Sequence, residues 1–249
     1  FCAPKYSHRF LTPTIFPGAK GQLAGQDYII IDKEFIIDGA SNSPSIKAYA
    51  FDDNIIDLVI LTHPDSDHFG GLIEVLKNYK VGAFVSNGQL GKGKKFKELQ
   101  KTLVNSNLRA INILAGDKIR YQDYLIRIIS PDPIALNRDN KNEASIVLLL
   151  EVNGNKVLLT GDIGFETENK LLQEYDLKSD ILKVAHHGSR FSSGREFIDQ
   201  VNPKISIIEV GKNPYGHPHP QVLEILASAN STIYRTDVDG TIKIILDKK

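Results

Sequence analysis

Residues 58–71 read Leu58-Val-Ile-Leu-Thr-His63-Pro-Asp65-Ser-Asp67-His68-Phe-Gly70-Gly71. The opening residues are apolar and branched, as a short buried strand requires. Two imidazoles and two carboxylates, His63, Asp65, Asp67 and His68, follow at once. A strand end is where an α/β protein presents side chains into a crevice. Four potential ligands in one tight loop converge on a small volume, and imidazole with carboxylate suits divalent transition metals. Gly70 and Gly71 let the backbone turn sharply into a helix. A plain polar turn accounts for Asp65 and Ser66, because Asp, Ser and Pro64 all favour turns. It does not account for a His at each end, so the metal reading is preferred.

The same arrangement recurs along the chain. Phe35-Ile-Ile-Asp38-Gly39 and Val157-Leu-Leu-Thr-Gly161-Asp162 are apolar runs ending in an acid. Ile181-Leu-Lys-Val-Ala-His186-His187-Gly188-Ser189 runs into paired imidazoles. Taken singly, Asp38 and Asp162 read as turn residues, and the two His as partly buried, satisfied side chains. Taken with the first loop, they suggest one site fed by several strand ends.

Around these runs, short Ile/Val/Leu-rich stretches alternate with helical ones. Strands are expected at 28–31, 35–37, 58–61, 81–85, 124–129, 146–151, 156–160, 181–184, 205–210, 232–235 and 241–246. Helices are expected at 71–79, 94–103, 166–175, 195–201 and 220–229. Asn153-Gly154-Asn155 signals a hairpin. Ser193 with Glu196 three residues on forms a capping box for the fourth helix, and Pro218 and Pro220 stand at the mouth of the fifth. Residues 1–26 are Gly/Pro-rich and weakly patterned, an irregular lead-in with short extended pieces. No linker forces a division, so 27–249 reads as one α/β domain.

The chain has 249 residues, with 30 Lys+Arg against 30 Asp+Glu and therefore zero formal net charge. This balance argues against a surface coated in basic residues, though not against a local basic groove. One Cys excludes an internal disulfide. No run approaches the ~20 apolar residues that span a bilayer. The sequence holds no Met and opens on Phe1, so a signal peptide or neighbouring domain is expected to have preceded it.

Four segments in order, 62–71, Leu158-Leu-Thr-Gly-Asp162-Ile163, 182–189 and Asn213-Pro-Tyr-Gly-His217-Pro-His219-Pro220, make the sequence resemble the metallo-β-lactamase-fold hydrolases. Within them it resembles the nuclease-type domain of ComEC-type competence proteins. Asn142-Glu-Ala-Ser145 is a weaker fifth segment. Most of that superfamily carries His where Asp65 stands, and the ComEC-like members share the Asp. Their N-terminal Val-Gly-Gln-Gly-Asp signature survives only as Gly25-Gln26-Asp27.

The resemblance implies a four-layer αβ/βα sandwich, α/β (α+β) in class, with two divalent metal ions between the sheet ends. His63 and Asp65 would bind the first, Asp67 and His68 the second, and Asp162 both. A final His, first His186 and then His187, would complete the second site. Asp38 would orient a metal-binding His through its ring N–H. Hard oxygen ligands tilt the preference from Zn towards Mn or Mg, while the imidazoles keep Zn open. The implied activity is that of a phosphodiesterase or DNase, in which the metal pair generates hydroxide for attack on phosphorus. Asp67, His187 and His217 are the expected catalytic residues, with His217 and His219 candidates to protonate the leaving group; His217 as the last metal ligand stays open.

Ser189, Arg190, Ser192 and Ser193 precede a helix start and are candidates to hold phosphate, with simple capping the competing reading. Lys94, Lys97 and Lys101 share one helical face that could track a nucleic-acid backbone or merely face solvent. The expected substrate is single-stranded or incoming DNA. A domain of a DNA-uptake protein would lie outside the cytoplasmic membrane, within a larger membrane protein; otherwise a cytoplasmic location is expected. The alternatives are a small-molecule hydrolase of the same fold, acting on a lactone, thioester, β-lactam or phosphoester, and a binding module that has lost its chemistry.

Overall fold

The computed structural model describes residues 13–15, 29–31, 35–37, 55–121, 124–240, 242–244 and 246. Strands β1 (Pro13–Ile15), β2 (Ile29–Ile31), β3 (Phe35–Ile37), β4 (Ile55–Leu61), β5 (Lys80–Ser86) and β6 (Ala110–Asn112) form the first sheet. It closes with β14 (Ile242–Lys243), in the order β14-β1-β2-β3-β4-β5-β6. The second sheet contains β7 (Lys118–Tyr121), β8 (Tyr124–Ser130), β9 (Val147–Val152), β10 (Asn155–Leu159), β11 (Ile181–Lys183), β12 (Ile205–Ile208) and β13 (Thr232–Arg235). Its order is β13-β12-β11-β10-β9-β8-β7. In each sheet a run of antiparallel neighbours gives way to parallel ones, from β3 onwards in the first and from β10 onwards in the second.

Strand periodicity builds the layers. On β4, Leu58 and Ile60 face the core between the sheets, meeting Ile126, Leu148, Leu159 and Ile181 of the second sheet. Their neighbours Val59 and Leu61 point the other way, onto α1 (Ser66–Phe69), α2 (Leu72–Asn78) and α3 (Gly93–Asn105) through Phe69, Leu72 and Phe96. The second sheet repeats the division. Leu148 and Leu150 face inward, while Val147, Leu149 and Leu158 pack against α4 (Phe165–Glu174), α5 (Arg195–Val201) and α6 (Pro220–Ser228). The result is the four-layer αβ/βα sandwich, with α7 (Thr236–Asp239) as a short C-terminal turn of helix. Each strand residue so buried contributes roughly 1.5–3 kcal/mol, and a one-residue slip would exchange the two faces. Register is therefore fixed, and with it the strand ends.

The Asn153-Gly154 turn joins β9 to β10 with both residues at positive φ, as an Asn-Gly hairpin demands. The expected irregular lead-in contributes β1, which pairs with β2 and β14. Ser193 does not cap α5. The cap position is Gly194, Ser193 has φ +58, and the Glu168 carboxylate of α4 accepts the Ser193 and Gly194 N–H groups at 2.5 and 2.9 Å. An acid from another helix accepts the Ser193 N–H that the local pattern assigned to Glu196. Among the described residues no helix is long and apolar enough to cross a membrane.

Candidate metal centre

The C-terminal ends of β4, β10 and β11 deliver their loops to one point between the sheets. From β4, Thr62 Oγ1 lies 3.0 Å from His63 Nδ1, which turns the opposite ring edge, Nε2, inward. Asp65 begins α1 and makes no capping hydrogen bond with its side chain. Its carboxylate is half exposed and lies 3.9 Å from His63 Nε2. One helical turn brings Asp67 and His68 round to the same side.

From β10 comes Asp162, buried, with its N–H donating to the Ser145 hydroxyl at 3.2 Å. Its Oδ2 lies 3.2 Å from His68 Nε2, 3.5 Å from His187 Nε2, 3.8 Å from His186 Nε2 and 3.9 Å from His63 Nε2. Four imidazoles thus converge on one carboxylate oxygen. Burial alone would raise the pKa of Asp162, but His68, His187 and His63 outweigh it and hold the carboxylate well below its ordinary range. Its other oxygen, Oδ1, is buried and has no hydrogen-bond partner among the described residues. A buried carboxylate oxygen left bare is costly unless a cation takes it. Two sets of donor atoms fall within 4.8 Å of one another: His63, His68 and Asp162, and Asp67, His68 and His187. The residues present fit divalent metal.

The second set bears on the order of the two His. His187, not His186, joins Asp67 and His68. Its Nδ1 sits 2.7 Å from the carbonyl of Glu209, just beyond β12, fixing the tautomer that leaves Nε2 for the centre. His186 Nε2 lies 3.4 Å from Asn142 Nδ2, and its ring packs at 5.7 Å against His217. The two His diverge because both hold left-handed backbone, φ +49 and +55, ahead of Gly188 at +78. Such strain persists where surrounding structure enforces it. A Cβ on Gly188 would lie 2.6 Å from Pro218 Cβ, and the Gly188 carbonyl accepts the His219 N–H at 2.8 Å.

Burial and charge also shape the neighbours. Burial, with Asp67 and Asp162 nearby, raises Asp65. Burial lowers His186, helped by His187, His68 and Lys183; it lowers His217, helped by His186 and His187. His219 caps α6, its Nδ1 accepting from Gln221 N.

Of the expected phosphate ligands, Ser189 and Ser192 are buried and committed to their own loop. Ser192 Oγ donates to the Ala185 and Ser189 carbonyls, and Ser189 Oγ accepts from Phe191 N–H. They do not form the expected cradle. Arg190 is exposed, with its guanidinium 4.6 Å over the Phe191 ring. Lys94 and Lys97 lie on the exposed face of α3. Asp38 falls outside the described residues, as does Gly25-Gln26-Asp27.

Two lysines lie beside the centre, one of which, Lys141, was overlooked in the sequence. Lys92, the cap position of α3, and Lys141 line a cavity of about 510 Å³ with Asp65, Asp67, Asn140 and Asn142. Lys141 also borders a second cavity of about 560 Å³ with Asn87, Gln89, Asn112 and Arg138. The signal for Lys141 was its place beside Asn142-Glu-Ala-Ser145, a stretch that touches both His186 and Asp162.

Residues 25–211 match the metallo-beta-lactamase superfamily. The chain is 38% identical over 191 residues to ComE operon protein 3 of Bacillus subtilis, covering 76% of this chain and 24% of that protein. It is 26% identical over 196 residues to competence protein ComA of Neisseria gonorrhoeae, covering 78% and 26% respectively. The chain thus spans about a quarter of the length of these relatives. Igni18, a metallo hydrolase from Ignicoccus hospitalis, superposes with a TM-score of 0.63 at 14% identity, covering 96% of this chain and all of that one.

Proposed function

Because the chain belongs to the metallo-beta-lactamase superfamily of hydrolases, we propose that it is a metal-dependent phosphodiesterase that cuts DNA at a two-metal centre. The observation that carries this reading is the buried Asp162 carboxylate, flanked by four imidazoles and touching both donor sets. In this reading His63, Asp65 and Asp162 would hold one ion, and Asp67, His68 and His187, with Asp162, the other. Divalent ions so held supply Lewis acidity, activating water at neutral pH and screening phosphate charge.

The chain's own residues do the rest. Thr62 and the Glu209 carbonyl keep His63 and His187 turned towards the centre. His186 and His217, on the side of the Asn142 loop, are placed to share a proton with a departing alkoxide. Lys92 and Lys141 bring positive charge to the adjoining cavity, where a phosphate chain would lie. That cavity is lined by Lys, Asn and Asp side chains, which favours a charged polymer over the apolar acyl group of a lactone or thioester. The similarity to a protein named for competence supports DNA as the substrate.

The test is direct. Protein stripped with a chelator and reloaded with Mn, Zn or Mg is incubated with labelled single- and double-stranded DNA, and bound metal is counted. The expected result is cleavage dependent on metal, with two ions per chain, both lost in Asp162→Asn. A chain that takes up no metal, or cleaves equally well after Asp162→Asn, would overturn the reading.

A further inference from the structure

Tyr215 is 78% exposed, the most exposed large aromatic among the described residues. Its surroundings are not those of an idle loop tip. The side chain of Asn213 makes four hydrogen bonds, all that an amide can make. Its Oδ1 accepts from the N–H groups of Tyr215 and His217, each at 3.0 Å. Its Nδ2 donates to the carbonyls of Gly211 and His217, each at 2.8 Å. The far end of the loop is tied down where His219 N–H meets the Gly188 carbonyl. The backbone that carries Tyr215 is therefore set in place before any ligand arrives.

The ring's position is equally defined. One face of Tyr215 stacks on His217, with centroids 5.8 Å apart and planes 27° from parallel. His217 packs at 5.7 Å against His186, whose Nε2 is 3.8 Å from Asp162 Oδ2. A chain of rings thus leads from the centre to an aromatic plane with its outer face open. The cavity on the Asn142 side of His186 carries Lys92 and Lys141. The centre is bordered by a site for charge in one direction and a site for a flat apolar group in the other.

Resting on the phosphodiesterase reading, we propose that Tyr215 is a base-stacking platform that selects unpaired strands, holding the base of a nucleotide next to the scissile phosphate. In a duplex both faces of an internal base are already covered by its neighbours, so such a platform offers it nothing. An unpaired base gains a partner there whatever its identity. The preset backbone limits the freedom lost on binding.

The test compares kcat/KM on two single strands of equal length, one with normal bases and one with abasic sugars throughout. The holoenzyme, Tyr215→Ala and Tyr215→Phe are each assayed. The wild type is expected to prefer the strand with bases. Tyr215→Ala should lose about tenfold on that strand, mainly through KM, as expected for one stacked base, and so narrow the ratio between strands. Tyr215→Phe, which keeps the ring, should restore it. Equal losses on both strands, or no loss on either, would overturn the stacking role. Failure of the wild type to cut either strand would instead overturn the phosphodiesterase reading, so the two failures are distinguishable.

Discussion

Replacing Glu168 by Gln tests how the loop behind the centre is held. Glu168 lies on α4, is buried, and accepts the N–H groups of Ser193 and Gly194 at the start of α5. That loop begins where His186 and His187 end. Burial, with a contribution from the nearby Glu143 carboxylate, pushes its pKa from 4.5 up to about 7, although the two N–H donors pull the other way. At about 1.4 kcal/mol per pH unit, keeping the ionised form in the fold costs about 3 kcal/mol. The sign follows from proton counting. Between pH 4.5 and 7 the folded state binds more protons at this residue than the unfolded state does. Its contribution to stability is therefore greatest below pH 4.5 and declines as pH rises to about 7.

Gln is the neutral form made permanent. It keeps the shape of protonated Glu but accepts through one oxygen only, whereas the structure uses both, Oε1 for the Ser193 N–H and Oε2 for the Gly194 N–H. Glu168→Gln should carry a constant penalty for the N–H left unaccepted, and its stability relative to the wild type should rise by up to about 3 kcal/mol between pH 4.5 and about 7. Denaturant unfolding at a series of pH values, with both proteins in the same metal state, measures this difference directly. Other groups, such as the strongly acidic Asp162, shape both curves alike and cancel. Parallel curves, or a variant weaker by a constant amount at every pH, would refute the reasoning and show that the ionised carboxylate is well tolerated as a cap.

Three further outcomes follow from the geometry. His187→Ala should cost bound metal, because it removes a member of the Asp67–His68 set; His186→Ala should keep metal while lowering turnover by about 10²–10⁴-fold, the range for a lost proton-transfer group. Metal counting and kcat together separate the two. Gly188→Ala introduces a Cβ at φ +78 and 2.6 Å from Pro218, so a loss of at least about 1 kcal/mol in unfolding free energy is expected, with both His loops disturbed. Replacing Lys92 and Lys141 by Gln should reduce the salt slope of DNA binding by roughly 1.4, about 0.7 for each single-strand phosphate contact. The same change at Lys94 and Lys97 should move it less, since those side chains lie outside the cavity beside the centre.

How much of the centre was legible depended on whether its chemistry was local. His63, Asp65, Asp67 and His68 could be read because one strand end and one turn of helix hold all four. Asp162 could be read because Gly161-Asp162 ends an apolar run. The choice between His186 and His187 could not. Adjacent imidazoles are equivalent in a sequence, and what separates them is left-handed backbone at both and a carbonyl from Glu209, more than twenty residues on. The helix cap failed for the same reason. Ser193 and Glu196 have the spacing of a reciprocal cap, but a carboxylate twenty-five residues earlier takes the Ser193 N–H that Glu196 would have taken. Strand β6 escaped because its three residues are all exposed and carry no alternation.

The His pair and the helix cap therefore share a cause, and it bears on the centre itself. The loop from His186 to Gly194 carries unfavourable backbone at His186, His187 and Ser193. It is held from outside, by Glu209 and Pro218 at one end and Glu168 at the other. Non-Gly residues in that conformation cost about 1–3 kcal/mol each, so the loop keeps its shape only while those distant groups hold it. What the loop gains is reach: two successive imidazoles leave one strand end in different directions, His187 towards the carboxylate set and His186 towards His217 and Tyr215. The strain is thus what allows a single strand end to serve both the metal donors and the path along which a substrate would lie.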